Sequence, residues 1–169
     1  GGADVLMVEK EPLFGGTTAY SAGVIWIPAN SHQKRHGIAD SREAAEALQQ
    51  EFPQAQVRGQ VCNVAVEADV QALVEAAEDQ LGGVDVLINN AGLGGSKRVV
   101  DMTDEEWHKV LDVTLTGTFR MTRAMLRKMQ PRGRGAIVNN ASVLGWRAQP
   151  EQCHYAAAKA GVMALTRCA

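Results

Sequence analysis

Residues 84–92 read VDVLINNAG, and the placing of this stretch decides the fold. Its apolar run is short enough for a strand buried on both faces, and it ends in a polar turn of small residues. Such a strand belongs in a parallel sheet, whose carboxyl ends are where α/β folds bind nucleotides. Over Asn90, Ala91 and Gly92 a flat ligand can approach the backbone closely. The tetrapeptide NNAG alone fits an ordinary tight turn equally well, so its neighbours must carry the argument.

Downstream, TDEEWHKVLDVTLTGTFRMTRAMLRKM (103–129) predicts a helix: Thr103 and Glu106 have capping-box spacing, and Trp107, Val110, Leu111, Leu115 and Phe119 recur with helical period. GAIVNNAS (135–142) predicts a strand and HYAAAKAGVMALTR (154–167) a helix. Upstream, ADVLMVE (3–9) reads as a strand, VIWIP (24–28) as an extended segment, and DSREAAEALQQEF (40–52) as a helix ended by Pro53. QVRGQVCNV (56–64) predicts a strand and EADVQALVEAAEDQLGG (67–83) a helix with a glycine stop. This alternation defines an α/β fold, Rossmann-like, with a mainly parallel sheet flanked by helices.

The chain has 169 residues, 46% of them hydrophobic, and a formal net charge of −2. That near-neutral balance points away from nucleic acid and anionic membranes as partners. With no apolar run near the ~20 residues that span a bilayer, a cytoplasmic protein is expected. Cys62, Cys153 and Cys168 lack C-x-x-C spacing, so they are expected as buried or half-buried free thiols. His32, His36, His108 and His154 lack a metal-ligand pattern and are expected at the surface.

Tyr155 and Lys159 stand at i,i+4, on one helix face and within reach of each other. A phenol titrates near pH 10; an ammonium beside it favours the phenolate and brings it toward useful acid–base catalysis. Ser142 ends the preceding strand, so its hydroxyl can face the same crevice. Each feature alone has an ordinary structural explanation, a surface Tyr–Lys pair or a strand-end serine. Their sequence together is specific.

On VDVLINNAG, EEWHKVLDVTLTGTF, GAIVNNASVLGW and HYAAAKAGVMALTR, residues from about 46 to 169 resemble the short-chain dehydrogenase/reductase family. The resemblance implies NAD or NADP as cofactor and hydride exchange with a small-molecule alcohol or ketone. It implies Tyr155 as acid/base, Lys159 as the group that assists it and binds the nicotinamide ribose, and Ser142 as a hydrogen-bond donor to the substrate oxygen. Asn63 matches the position beside the adenine, and Asn90, Ala91 and Gly92 the turn beside the cofactor. Thr114 stands where the family commonly has Asn. Its hydroxyl is shorter and carries no amide, so a weakened proton relay is expected. The helices 103–129 and 153–168 match a common homo-oligomer interface of the family.

GADVLMVEKEPLFGGTTAYSAGVIWIPAN resembles FAD-binding dehydrogenases of the ketosteroid dehydrogenase and fumarate reductase type. That likeness implies Glu9 on an adenosine ribose and the Gly15–Gly23 turn, with Gly15, Gly16, Thr17 and Thr18, against the flavin. Two regions are therefore expected: 1–45, a flavoprotein-like strand and Gly/Thr-rich loop, and 46–169, a partial short-chain dehydrogenase domain. The latter resemblance lacks the family's glycine-rich loop and its last strands, so an incomplete sheet ordered 57–64, 3–9, 84–89, 135–141 is expected. Bulky apolar substrates, steroid or acyl, follow by association. The competing expectations are a catalytically inactive chimeric fragment or dimerising module, and, less favoured, a piece of an FAD-dependent dehydrogenase.

Overall fold

The β-branched and leucine-rich runs of the sequence pair as parallel strands, and the amphipathic stretches between them fold as helices laid over those strands. The computed structural model describes residues 49, 50, 53, 57–147 and 149–169, and the backbone of strands β1 (Val5–Glu9), β2 (Ala19–Ser21) and β3 (Val24–Trp26). Then follow β4 (Val57–Val61), α1 (Glu67–Leu81), β5 (Val86–Asn89), α2 (Asp104–Leu111), α3 (Gly117–Arg132), β6 (Ala136–Asn139) and α4 (Cys153–Cys168). A π-helical turn, Asp112–Thr116, joins α2 to α3, and single 3-10 turns occupy Val99–Asp101 and Val143–Gly145.

Two of the expected parallel pairings are present. β1 pairs with β4, Val5 opposite Val57 through Glu9 opposite Val61, and β5 pairs with β6, Val86 opposite Ala136 through Asn89 opposite Asn139. Among the described residues no ladder joins β1 to β5, as the expected strand order required. Instead β3 lies against both, paired antiparallel with β2. Part of the stretch expected as a cofactor turn, Ala19–Ser21, is thus strand. Of the expected helix 40–52, helical Gln49 and Gln50 are described.

Helix ends follow their local chemistry. Thr103 Oγ1 accepts from the Glu106 N–H while Glu106 Oε2 accepts from the Thr103 N–H, so the capping box forms in full. Gly82 takes a left-handed φ of 71° at the end of α1, the backbone a β-carbon resists. The expected inner face of the long helix is only partly right. Its buried stripe is Val110, Val113, Gly117, Met121, Ala124, Met125 and Met129, whereas Phe119 is 40% exposed. The expected set steps by four through Leu111, Leu115 and Phe119, which drifts off the 3.6-residue period that the buried stripe keeps.

Cys62, Val64, Val70, Leu73, Val74, Leu87 and Val113 join the α3 methionines in one core between strands β4 and β5 and helices α1 and α3. Gly117 lets the helix approach closely, since a β-carbon there would fall 2.6 Å from Val64 Cγ2. Two surface expectations fail. His154 is buried, and Cys168 is exposed rather than half-buried because it sits on the last turn of α4. Cys62 does lie inside, where burial pushes its thiol up to about 12.

Leu73 is 1% exposed at the centre of this core. Leu73→Ala should cost about 3 kcal/mol of stability, read from urea unfolding midpoints; a loss below about 1 kcal/mol would mean that α1 does not pack as described.

Candidate active site

The site forms where β5 and β6 end together. Parallel pairing in register brings Asn89 opposite Asn139, and beyond them Asn90 faces Asn140, whose side-chain amide donates to the Asn90 amide oxygen. One step inward, Asn89 Nδ2 donates to Asn139 Oδ1 at 2.8 Å and to Thr122 Oγ1 of α3 at 3.1 Å. Asn139 Nδ2 in turn donates to Thr166 Oγ1 of α4 at 2.9 Å. Buried amides must find partners, and here the partners tie two strands to the two helices that pack on them.

Lys159 is 4% exposed, and its ammonium donates to the Asn140 carbonyl. Desolvation lowers its pKa from the ordinary value of 10.5, because burial disfavours the charged form. Its Nζ lies 5.6 Å from the centre of the Tyr155 ring, so the structure brings the phenol and the ammonium together as expected. Gly92 adjoins the pair: a β-carbon there would stand 3.6 Å from both Lys159 Nζ and Thr114 Oγ1. Gly92, Thr114, Tyr155 and Lys159 therefore form one cluster.

Thr114 does something the sequence did not show. Fully buried in the π turn, its hydroxyl accepts from the Leu93 N–H at 2.9 Å and donates to the Leu93 carbonyl at 3.2 Å. It thereby satisfies both backbone groups of the residue after Gly92, which puts it in the role of staple for the loop above Lys159. Its own carbonyl accepts from Thr118 Oγ1 at 2.9 Å.

Ser142 lies two residues past Asn140, half-buried, and its Oγ accepts from the Leu144 N–H at 3.2 Å. The 3-10 turn it opens rests on α4: a β-carbon on Gly145 would stand 3.2 Å from the Lys159 carbonyl carbon. Asn63 belongs to the other ladder, past the end of β4. Its Oδ1 accepts from the Ala65 N–H at 3.1 Å, while its own N–H donates to Asp69 Oδ2 at 3.0 Å. Glu9 ends β1 opposite Val61, so the backbone places it near Asn63. Gly15, Gly16, Thr17 and Thr18 lie outside the described residues.

A groove of about 500 Å³ opens elsewhere, beside β6, lined by Leu126, Met129, Ile137, Asn139 and Thr166 among others; none of the expected catalytic residues lines it. Among the described residues no helix is long and apolar enough to cross a membrane.

The model of the short chain dehydrogenase family matches residues 32–169, and the chain belongs to that family. The match takes in part of the stretch expected to be flavoprotein-like. The chain is 51% identical over 152 residues to the Mycobacterium tuberculosis "(5R,7aS)-5-hydroxy-7a-methyl-1-oxo-2,3,5,6,7,7a-hexahydro-1H-indene-carboxyl-CoA reductase", covering 89% of this chain and 55% of that protein. It is 39% identical over 110 residues to the 3-oxoacyl-[acyl-carrier-protein] reductase of Vibrio cholerae, covering 65% of this chain and 45% of that one. Among solved structures, a Mycobacterium smegmatis short chain dehydrogenase superposes with a TM-score of 0.75 at 44% identity, over 99% of this chain and 70% of the other. Levodione reductase does so with a TM-score of 0.75 at 31% identity, over 97% and 64%. The chain thus spans about half the length of the curated relatives it matches. These matches speak for the dehydrogenase resemblance and lend none to the flavoprotein one.

Two outcomes follow from the geometry. Thr114→Val keeps the shape but leaves the Leu93 N–H without its acceptor, and should cost about 1–3 kcal/mol; Thr114→Ser, which keeps the hydroxyl, should recover most of it in the same thermal melts. The second concerns pH. Because the folded state holds Lys159 at a lowered pKa, the unfolded chain binds the extra proton in the window below 10.5. Stability from this site is therefore lost as pH falls and regained as it rises. Relative to Lys159→Met, the parent should gain unfolding free energy between pH 7 and 10, and a flat difference would contradict a desolvated ammonium.

Proposed function

We propose that this chain carries the catalytic half of a short-chain reductase, exchanging a hydride between NAD(H) or NADP(H) and a carbonyl–alcohol pair. The observation that carries the reading is the buried ammonium of Lys159, set beside the Tyr155 ring and under Gly92 at the strand ends. An ion held away from water favours the phenolate of its neighbour and so eases proton exchange at the phenol oxygen.

The residues present suit the nicotinamide half of such a cofactor. Gly92 is exposed and bare of side chain, and Asn90 and Ala91 are small, so a flat ring can lie against the backbone. Lys159 and Tyr155 would hold the ribose, and Asn63, on the other ladder, the adenosine end. When bound, the cofactor supplies or accepts the hydride. Tyr155 gives its hydroxyl proton to the substrate oxygen during reduction, Ser142 donates a hydrogen bond to that oxygen, and Lys159 stabilises the phenolate left behind. Thr114 keeps the loop over this pair in place.

The substrate class we infer is a ketone on a bulky apolar or acyl body. Beside Ser142, Val143 is 54% and Trp146 75% exposed, an apolar rim at the mouth of the site, and the two curated relatives above are named for an indene-carboxyl-CoA and an oxoacyl-carrier substrate. A homo-oligomer through α2, α3 and α4 is supported by the face the core leaves over. Trp107 and Leu111 are half-buried there and Phe119 is exposed.

Fluorescence titration with NADH and NADPH should show saturable binding of one or both. Tyr155→Phe, with Lys159 still present to hold the ribose, should bind more weakly but still saturably and lose about 10²–10⁴-fold in carbonyl reduction. Absence of binding by either nucleotide would favour an inactive module instead, and a Tyr155→Phe variant as fast as the parent would remove Tyr155 from the acid/base role.

A further inference from the structure

The loop GLGGSK (92–97) runs along the first turns of α4 in reverse order. A β-carbon on Gly92 would meet Lys159, one on Gly94 would stand 4.0 Å from Tyr155 Cδ2, and one on Gly95 only 2.8 Å from His154 Nε2. The last distance is too short for any side chain, so glycine is what lets the loop lie down on the helix. Glycines also leave the free loop a large freedom to lose, and a fastening at its far end limits that freedom.

The fastening is Glu151. Ser96 Oγ donates to Glu151 Oε2 at 2.6 Å, and the Lys97 N–H donates to the Glu151 carbonyl at 2.9 Å. Among the described residues Glu151 is the one non-glycine with a left-handed φ, 64°. A backbone that favours glycine is occupied here by the residue whose carboxylate and carbonyl both grip the loop. From Lys97 the connection continues, Nζ donating to Glu106 Oε1 at 3.1 Å, so the loop is also pinned to the capping box of α2.

We propose that Glu151 is a positioning residue for the reaction: with Ser96 it clasps loop 92–97 onto α4 and so fixes the ring of Tyr155 between Gly94 and Lys159. The inference rests on the reading of Tyr155 as the acid/base, and its test separates the two. Hydrogen exchange at the Lys97 amide and steady-state kinetics are measured on the parent, Ser96→Ala, Glu151→Gly and Glu151→Gln.

Glycine at 151 suits the backbone, so that variant folds while losing the carboxylate. In Ser96→Ala and Glu151→Gly, exchange at Lys97 should quicken about tenfold and kcat fall by a similar factor, the effect of one hydrogen bond to a charged group. KM for the nicotinamide should stay where it was. Glu151→Gln, whose amide oxygen can still accept from Ser96, should restore most of both. Unchanged exchange in the two disrupted variants would overturn the clasp, and quickened exchange with unmoved kcat would overturn its positioning role. A parent with no turnover would sink the functional reading alone, with exchange at Lys97 then deciding the clasp.

Discussion

A lysine ammonium carried into the protein sets the terms for everything around it. Burial of an unpaired charge is prohibitive, so Lys159 needs an acceptor at a fixed place, and the Asn140 carbonyl supplies it. That carbonyl is where it is because β6 pairs with β5 in a single register. The paired amides of Asn89 with Asn139 and of Asn90 with Asn140 fix that register from the side chains as well. Slipping one strand by a residue would part both pairs and turn the buried faces outward. The geometry of the candidate site is therefore a consequence of strand alignment, with α4 as the arm that delivers the charge.

The helices answer the same constraint from outside the sheet. Thr122 of α3 and Thr166 of α4 take the outward amide protons of the Asn89–Asn139 pair. Thr114 closes the remaining side by satisfying both backbone groups of Leu93. Hydrogen bonds of this kind contribute modestly to net stability but are costly to leave unmade. They specify one arrangement more than they strengthen it.

Much of this was legible in the sequence where the signal is local. The Thr103–Glu106 spacing foretold the capping box, Gly82 the end of α1, and the i,i+4 spacing of Tyr155 and Lys159 their meeting on one face. Longer-range consequences were not. Steps of four from Leu111 through Leu115 drift off the helical period, so Phe119 reads as an inside residue and stands outside. His154 reads as a surface residue because nothing adjacent in sequence tells that the glycine loop 92–97 covers it. The two hydrogen bonds of the Thr114 hydroxyl at Leu93 join residues 21 positions apart and leave no local mark in the sequence. The place of 24–26 between two ladders depends on tertiary contact, which no window of a few residues contains.

The π turn between α2 and α3 has one more effect. It carries α2 into α3 without a break, so one rod is long enough to present its flanks to two different neighbours. The flank of α2 meets α4, while that of α3 meets α1. The same rod thus serves as wall for the Tyr155–Lys159 cluster at one end and as ballast for the hydrophobic interior at the other. Excising one residue from 112–116 would turn one end against the other by about 100° and force the rod to abandon one of those two duties.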